Sequence, residues 1–378
     1  MRQKPRCRPL KRSGRRRFLQ GLGALGLGTA AVGFGRPGWA QGSPPALVKG
    51  TTFTVSTWGG VTQDAVKNFV QPEFERQTGV KFAFDIGAQG ARYNKLLAQR
   101  ANPPADVFFS TDEAVINGHR AGVLQAASQK SIPYAADVHD WALPGRRAAP
   151  PGTVLGVAYA LIAYVIGYNP QAVKQAPASW GDLWRPEFQG KLALAAPGHT
   201  QMPSLLITTA EMNGGGLRNM DPAFKKLAEL RPVKLTFFFT DWAALVKTGD
   251  AVAGTEFDYY LQGMKAQGFP IEWVVPKEKG FGSPQCVSLV KGSQIPADVA
   301  AAFINLIVSP TVQEALAVQT FQGITNKTVK LSTEAQAKCT CGARIDQLRF
   351  FDPVVVADNR PQWTERLNTE VVPNWARR

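Results

Sequence analysis

The strongest constraint on the fold is a regular alternation of strands and helices that begins after Gly50. The first segment, FTVSTW at 53–58, is rich in β-branched and aromatic residues, which is typical of a strand. Apolar side chains then recur at helical spacing over residues 62–77. The alternation continues as strand, helix, strand and helix at 81–87, 92–102, 105–111 and from Asp112. This β-α-β-α-β order predicts a parallel, doubly wound α/β sheet.

A second set of the same elements follows a long apolar strand at 156–169. Its strands are predicted at 191–198, 234–239 and 251–257, and its helices near 203–212 and 221–230. A further strand at 285–290 and a helix at 297–309 come after it. In the first helix, Pro72 is expected to bend or restart the chain and Gly79 to end it in the left-handed conformation. The chain is therefore predicted to form two α/β units.

The positive charge of the chain is concentrated at its start. The formal net charge is +15, but residues 1–41 carry ten Lys or Arg and no acid, so the rest is nearly balanced. Arg15-Arg16-Arg17-Phe18-Leu19 precedes an apolar run and the small-x-small site Gly38-Trp39-Ala40. This is the layout of an export signal, and it resembles the twin-arginine class. We therefore predict a twin-arginine signal at 1–41, and no nucleic-acid partner.

Three cysteines remain after such a signal: Cys286, Cys339 and Cys341. Cys339 and Cys341 are expected to lie too close in sequence to bridge each other easily, and a longer bridge from Cys286 is left open. The three histidines of the chain show no zinc-ligand spacing. The sequence thus predicts no metal and no cofactor.

Three separated stretches carry a family resemblance. FERQTGV at 74–80, SWGDLWRPEFQGK at 179–191 and FINLIVSP at 303–310 resemble periplasmic solute-binding proteins of ABC importers, the extracellular solute-binding protein family 1. STWGG at 56–60 and the stretch around Tyr159 are similar to the polyamine, spermidine/putrescine-like branch.

The resemblance implies two doubly wound α/β lobes joined by hinge strands, as in type II periplasmic binding proteins, with a ligand cleft between them. The implied boundaries are lobe 1 at 50–155 with 285–348, lobe 2 at 156–284, and a C-terminal appendage at 349–378. The chain would cross between lobes near 154–164 and return near 282–287. Tyr159 would then contact the ligand.

Trp58 is the first candidate for ligand contact, because ligands of open α/β sheets bind beyond the carboxyl ends of strands. Its ring suits an alkyl chain or a cation. Gly59 and Gly60 allow close approach of the backbone to a ligand. The alternative is that Trp58 caps the core and the glycines only turn the chain.

Polar candidates follow other strands. Ser110, Thr111 and Asp112 are expected to share the roles of helix cap and ligand contact. His199 lies in the loop after the strand at 191–198 and is either a contact or a surface residue. Arg92 either pairs with a substrate carboxylate or, more commonly for such a residue, lies on a solvated helix face.

The run Glu256-Phe257-Asp258-Tyr259-Tyr260 ends the strand at 251–257. A carboxylate of Glu256 or Asp258 facing Trp58 would stabilise an ammonium group, with Tyr259 beside it. The alternative is a solvated rim acid. The adjacent tyrosines also resemble the paired tyrosines of ferric-iron-binding relatives.

These observations predict a periplasmic protein that captures a small polar, amine-bearing, polyamine-like solute and delivers it to an inner-membrane ABC permease. The first alternative is a ferric-iron-binding protein that uses Tyr259 and Tyr260. The alternative of another class is an exported cofactor enzyme, although no GxSxG, Walker or HExxH motif occurs. We predict a non-enzymatic monomer that meets the twin-arginine translocase only during export.

Overall fold

The computed structural model describes residues 49–236 and 239–375. The predicted export signal at 1–41 lies outside the described residues, so it stays a prediction. Within these ranges no single helix is long and apolar enough to cross a membrane, and one bent pair, Ala297–Ile307 with Pro310–Thr320, meets that test jointly.

The strands of the described chain form one large sheet and a two-stranded ribbon. Their bounds are β1 Thr52–Thr57, β2 Lys81–Ile86, β3 Val107–Thr111, β4 Leu124–Gln125, β5 Ala127–Ser128, β6 Thr153–Val154, β7 Val157–Tyr168, β8 Leu192–Ala195, β9 Pro232–Thr236, β10 Ala253–Phe257, β11 Glu272–Val274, β12 Gly280–Val290 and β13 Leu348–Arg349. The ribbon consists of β5 and β6.

The large sheet runs in the order β2-β1-β3-β12-β7-β10-β8-β9. β1 pairs in parallel with β2 and β3, and β8 pairs in parallel with β9 and β10. Between these parallel halves, the long strands β12 and β7 run antiparallel to each other and to their outer neighbours. The predicted α/β class is confirmed, with two parallel half-sheets joined by crossing strands. The exact lobe boundaries stay a prediction.

Helices cover the sheet. Their bounds are α1 Val61–Ala65, α2 Gln71–Thr78, α3 Gln89–Ala98, α4 Asp112–Arg120, α5 Met202–Met212, α6 Asp221–Leu227, α7 Phe239–Thr248, α8 Asp258–Ala266, α9 Ala297–Ile307, α10 Pro310–Thr320, α11 Thr333–Lys338, α12 Pro353–Arg366 and α13 Val372–Trp375. Single π-helical turns at Val66–Val70 and Leu367–Val371 join α1 to α2 and α12 to α13. Short 3-10 turns lie at Gln129–Ser131, Pro133–Ala136, Asp140–Ala142, Trp180–Trp184, Pro186–Phe188 and Gly342–Gln347.

The first helical stretch follows the sequence prediction closely. The chain leaves α-helical geometry for one turn and restarts as α2, with Pro72 in the first turn where its missing N–H costs no hydrogen bond. Gly79 ends α2 with φ 72°, the left-handed conformation expected of it. Both predictions succeed because their causes lie within a few residues.

Each half of the sheet has its own apolar core. In the first, the ring of Phe53 lies 5.0 Å from that of Phe74 and 5.3 Å from that of Phe303. In the second, Trp180 stacks on Tyr164 and Phe281, at 5.4 and 5.5 Å between ring centroids. Because Tyr164 and Phe281 belong to β7 and β12, the crossing strands are part of the second core.

Residues 349–375, here called the C-terminal segment, contact both halves of the protein. Trp363 and Trp375 are buried in the second core, and Trp375 Nε1 donates to the carbonyl of Leu227 at 2.6 Å. Arg360 forms an ion pair with Glu113, the second residue of α4, and donates to the carbonyl of Gly198 at 2.9 Å. The segment therefore joins the end of β3 to the loop after β8.

The expectation for the cysteines is wrong. Cys339 and Cys341 form a disulfide, with 5.5 Å between their Cα atoms, while Cys286 is a buried free thiol. The N–H of Cys341 donates to the carbonyl of Cys339 at 3.1 Å. This tight turn brings both side chains into the separation that a disulfide spans, which counting residues does not reveal.

Candidate functional site

A cleft lies where the carboxyl ends of strands from both half-sheets face each other. It contains a cavity of about 50 Å³ beside the crossing strands. Its lining residues come from β3, α4, the start of α5, β12 and the C-terminal segment. They include Thr111, Asp112, Gln201, Ser204, Gly282 and Phe351. This is the position where ligands bind to open α/β sheets.

Trp58 follows β1 directly and is half-buried against the first core. Gly60 has φ 67° and precedes α1, so this position requires glycine for the turn. A Cβ on Gly59 would lie 3.0 Å from the Ile86 side chain. Gly60 thus serves the turn. Trp58 is not among the residues that line the cavity, so its contact with a ligand, like that of the two glycines, stays a prediction.

Arg92 does not lie on a solvated helix face, so that expectation is wrong. It is 2% exposed, and its guanidinium donates twice to the carbonyl of Phe109, each time at 3.0 Å. The same group lies 5.0 Å from the Trp58 ring centroid. Burial lowers the pKa of Arg92 to about 10, which keeps it protonated at neutral pH. Because a positive charge already lies against the indole, an alkyl group suits this ring better than an ammonium group.

Ser110 and Thr111 lie inside the fold. Ser110 is fully buried, and its hydroxyl has no hydrogen-bond partner among the described residues. Thr111 precedes α4 but makes no side-chain cap, and its hydroxyl accepts from Gln89 Nε2 at 3.2 Å. The capping role expected of these hydroxyls is therefore wrong: Ser110 is buried in the sheet, and Thr111 lines the cavity with its hydroxyl bonded to Gln89.

Two carboxylates begin α4 and differ in their partners. Glu113 is paired with Arg360. Asp112 lines the cavity, and its Oδ1 accepts from the N–H of Glu113 at 2.9 Å. Burial, with a smaller contribution from Asp352, raises the pKa of Asp112 to about 7. Within the described chain no Lys or Arg pairs with Asp112, so its negative charge is uncompensated.

Glu256 is a buried carboxylate of the second half-sheet that does not itself line the cavity, although its partner Gln201 does. It lies near the end of β10, is 5% exposed, and its Oε1 accepts from Gln201 Nε2 at 3.0 Å and from the N–H of Phe257 at 2.8 Å. Burial raises the pKa of Glu256 to about 7, although these two hydrogen bonds act in the opposite direction. Among the residues described, it too has no ion-pair partner.

Asp258 does not share this position, so its predicted place opposite Trp58 needs correction. Its Oδ1 accepts from the N–H of Ala163 on β7 at 2.8 Å, and its Oδ2 accepts from the hydroxyl of Thr340. The first residue of α8 points towards the crossing strand and the disulfide loop because both supply donors there. Its carboxylate holds the fold together.

The aromatic candidates lie in different places, and of them Tyr259 and Tyr260 interact electrostatically with Glu256. Tyr259 and Tyr260 have ring centroids 4.0 Å apart, and burial raises the pKa of Tyr260 to about 12. Tyr159 is 2% exposed and packs on Phe109, inside the first core. His199 is half-buried, its Nδ1 accepts from the N–H of Gln201 at 3.3 Å, and burial lowers the pKa of its imidazole to about 4.

Sequence reasoning missed two residues of the site. Gln201 orients the Glu256 carboxylate from the start of α5, and its place after a strand, in the loop that holds His199, was the available clue. Arg360 neutralises Glu113 from the C-terminal segment, and nothing near it in sequence indicates this. No cluster of three His, Cys, Asp or Glu side chains suited to a metal occurs in the described ranges.

Known proteins share both sequence and fold with this chain. A spermidine/putrescine-binding periplasmic protein of Haemophilus influenzae is 25% identical over 235 residues, which is 60% of this chain and 62% of the relative. A putrescine-binding periplasmic protein of Pseudomonas aeruginosa is 23% identical over 259 residues, 64% of this chain and 70% of the relative. An ABC transporter crystal structure from Clostridium perfringens has a TM-score of 0.72 at 28% identity, and the match covers 84% of this chain and 99% of the crystallised chain.

Two crossing strands between parallel half-sheets, with a cleft at the strand ends, define a two-lobed binding protein of the type II periplasmic class. The family model of the bacterial extracellular solute-binding proteins matches residues 102–342. The chain belongs to this family.

Proposed function

We propose that the protein captures a small solute with one or more ammonium groups in the periplasm and delivers it to an ABC permease without covalent chemistry. The observation that carries this proposal is the pair of uncompensated carboxylates, Asp112 and Glu256, one from each half-sheet. Burying a charge without a partner is costly, and Glu256 is buried while Asp112 is partly buried, so each gains from a cation. A diamine supplies two such cationic groups, one for each carboxylate.

The electrostatics around Trp58 support the same ligand class. Arg92 lies against Trp58 at 5.0 Å, so the indole receives the alkyl part of the solute while the acids receive the ammonium groups. The names of the Haemophilus influenzae and Pseudomonas aeruginosa relatives, which include spermidine and putrescine, favour polyamine-like solutes. The expected ligand is thus a short chain with separated positive charges.

The tyrosines support iron less well. Ferric iron would need the phenolate forms of Tyr259 and Tyr260, and burial raises the pKa of both hydroxyls above the usual value. The second half-sheet offers Glu256 as an anion that loses its proton more readily than either phenol. Ferric iron is therefore tested beside the amines in the binding experiment.

Titration calorimetry with putrescine, spermidine and ferric citrate tests the proposal. We expect an amine to bind, and Glu256→Gln to weaken it about tenfold to hundredfold, because one charge-assisted hydrogen bond is lost. Trp58→Ala should cost at least as much. The control is Asp140→Asn, which removes an acid whose side chain is 89% exposed.

Two results would overturn the amine assignment. The first is heat from ferric citrate with none from any amine at millimolar concentration, together with loss of a coloured iron complex in Tyr259→Phe. The second is an amine affinity that Trp58→Ala and Glu256→Gln both leave unchanged.

We further propose export through the twin-arginine route, on the basis of Arg15-Arg16-Arg17-Phe18-Leu19. Replacing all three arginines with Lys keeps the charge and removes the planar guanidinium groups. We expect the precursor to accumulate in the cytoplasm, as judged by fractionation and immunoblotting. Full recovery of the altered protein in the periplasm would contradict the assignment.

A further inference from the structure

The Cys339–Cys341 disulfide encloses one residue, Thr340, whose hydroxyl reaches an element of the binding site. Cys339, Thr340 and Cys341 are all buried. The Thr340 hydroxyl donates to Asp258, the first residue of α8, although 82 residues separate the two in sequence. Asp258 stands two residues after Glu256 and immediately before Tyr259. The disulfide loop therefore contacts the turn that presents the site.

The same carboxylate ties this turn to a crossing strand. Asp258 also accepts from the N–H of Ala163 on β7 at 2.8 Å. Leu161 of that strand exchanges backbone hydrogen bonds with Gly323, at 2.9 and 2.7 Å. A Cβ at Gly323 would lie 2.3 Å from the Thr340 carbonyl oxygen, so the loop fits closely against this backbone. Arg344 Nη1 fixes the Cys339 carbonyl at 3.1 Å.

A second cavity borders this contact. It measures about 210 Å³ and is lined by residues that include Asp258, Thr340, Arg344, Glu272 and Trp273. While the disulfide is intact, the backbone turn keeps Thr340 on Asp258. If the S–S bond is cleaved, Thr340 gains freedom to move towards this cavity, and the buried carboxylate loses a donor.

We infer that the Cys339–Cys341 disulfide is a covalent support of the solute site, and that its reduction weakens solute binding through Thr340 and Asp258. A dithiol supplies two electrons and two protons, the S–S bond breaks, two thiols form, and the dithiol becomes a cyclic disulfide. Asp258 and Thr340 act as positioning residues. The affinity effect rests on the proposed function, whereas the change in the Asp258 contacts does not.

The first test is independent of any ligand. Amide hydrogen exchange is measured on the whole mature protein, on the double variant Cys339→Ser with Cys341→Ser, and on Thr340→Val. We expect faster exchange of the Ala163 amide and of the first turn of α8 in both variants, because the shared carboxylate is released. Thr340→Val keeps the disulfide and removes only the hydroxyl.

The second test is calorimetry with putrescine before and after incubation with dithiothreitol, with thiol formation followed by mass spectrometry. We expect about a tenfold loss of affinity in the reduced protein and in Thr340→Val. The double serine variant must not respond to dithiothreitol, which controls for the buried thiol Cys286.

The outcomes separate the two proposals. Unchanged exchange at Ala163 in both variants, or unchanged putrescine affinity after complete reduction, overturns the inference. Faster exchange in a protein that binds no amine supports the structural coupling and refutes the amine assignment alone.

Discussion

Glu113→Gln is expected to lower the free energy of unfolding by about 3 kcal/mol, because it leaves the Arg360 guanidinium without its carboxylate. The side chains of Arg360 and Glu113 are only 21% and 8% exposed, so water replaces little of the lost interaction. Arg360 retains its hydrogen bond to the Gly198 carbonyl, which cannot neutralise the charge. Urea unfolding followed by circular dichroism measures the effect.

The chain contains a matched control in Glu211→Gln. Glu211 pairs with Arg349 through two hydrogen bonds of 2.6 and 2.9 Å, and the side chains of Arg349 and Glu211 are 31% and 35% exposed. A pair this accessible is expected to contribute less than about 1 kcal/mol. Equal losses of unfolding free energy in the two variants would show that the contact between α4 and the C-terminal segment stabilises the protein no more than an accessible ion pair does.

The second large effect concerns pH. The affinity for putrescine should fall steeply as the pH drops from 8 to 5.5, because Asp112 and Glu256 each have a pKa of about 7 in the free protein. An ammonium group stabilises the ionised carboxylates, so bound solute lowers both pKa values and binding releases protons. Below pH 7 each group must lose a proton first, which costs up to about tenfold in affinity per pH unit per group.

Calorimetry in two buffers of different ionisation enthalpy measures both the affinity and the proton release. Glu256→Gln should remove the contribution of one titrating group from the slope of affinity against pH, and Asp112→Asn should do the same. A pH-independent affinity over this range would mean that neither carboxylate meets the solute. Uptake of protons on binding would contradict the sign of the predicted effect.

The elements of the fold were predictable where their causes are local. The turn at Gly79 and the restart at Pro72 depend on backbone chemistry within one helical turn, and the strand-helix alternation fixed the α/β class. Trp58 and Glu256 were singled out because residues at the carboxyl ends of parallel strands converge, and their contact with a ligand stays a prediction.

Two of the errors share one physical cause, which is a partner distant in sequence. Arg92 is buried because it donates to the carbonyl of Phe109 on another strand. Asp258 turns away from the cleft because Thr340, 82 residues later, supplies a donor. Single-residue chemistry suggests what a side chain can do, but the arrangement of the chain decides which partner it meets.

The C-terminal segment has a consequence for the order of synthesis. Trp363, Leu367, Val371 and Trp375 complete a core whose other buried residues lie between Ile162 and Phe281 and are translated before them. A product that stops before Trp363 lacks all four side chains and exposes the apolar surface that they cover. Closure of this core therefore requires synthesis to have passed Trp375.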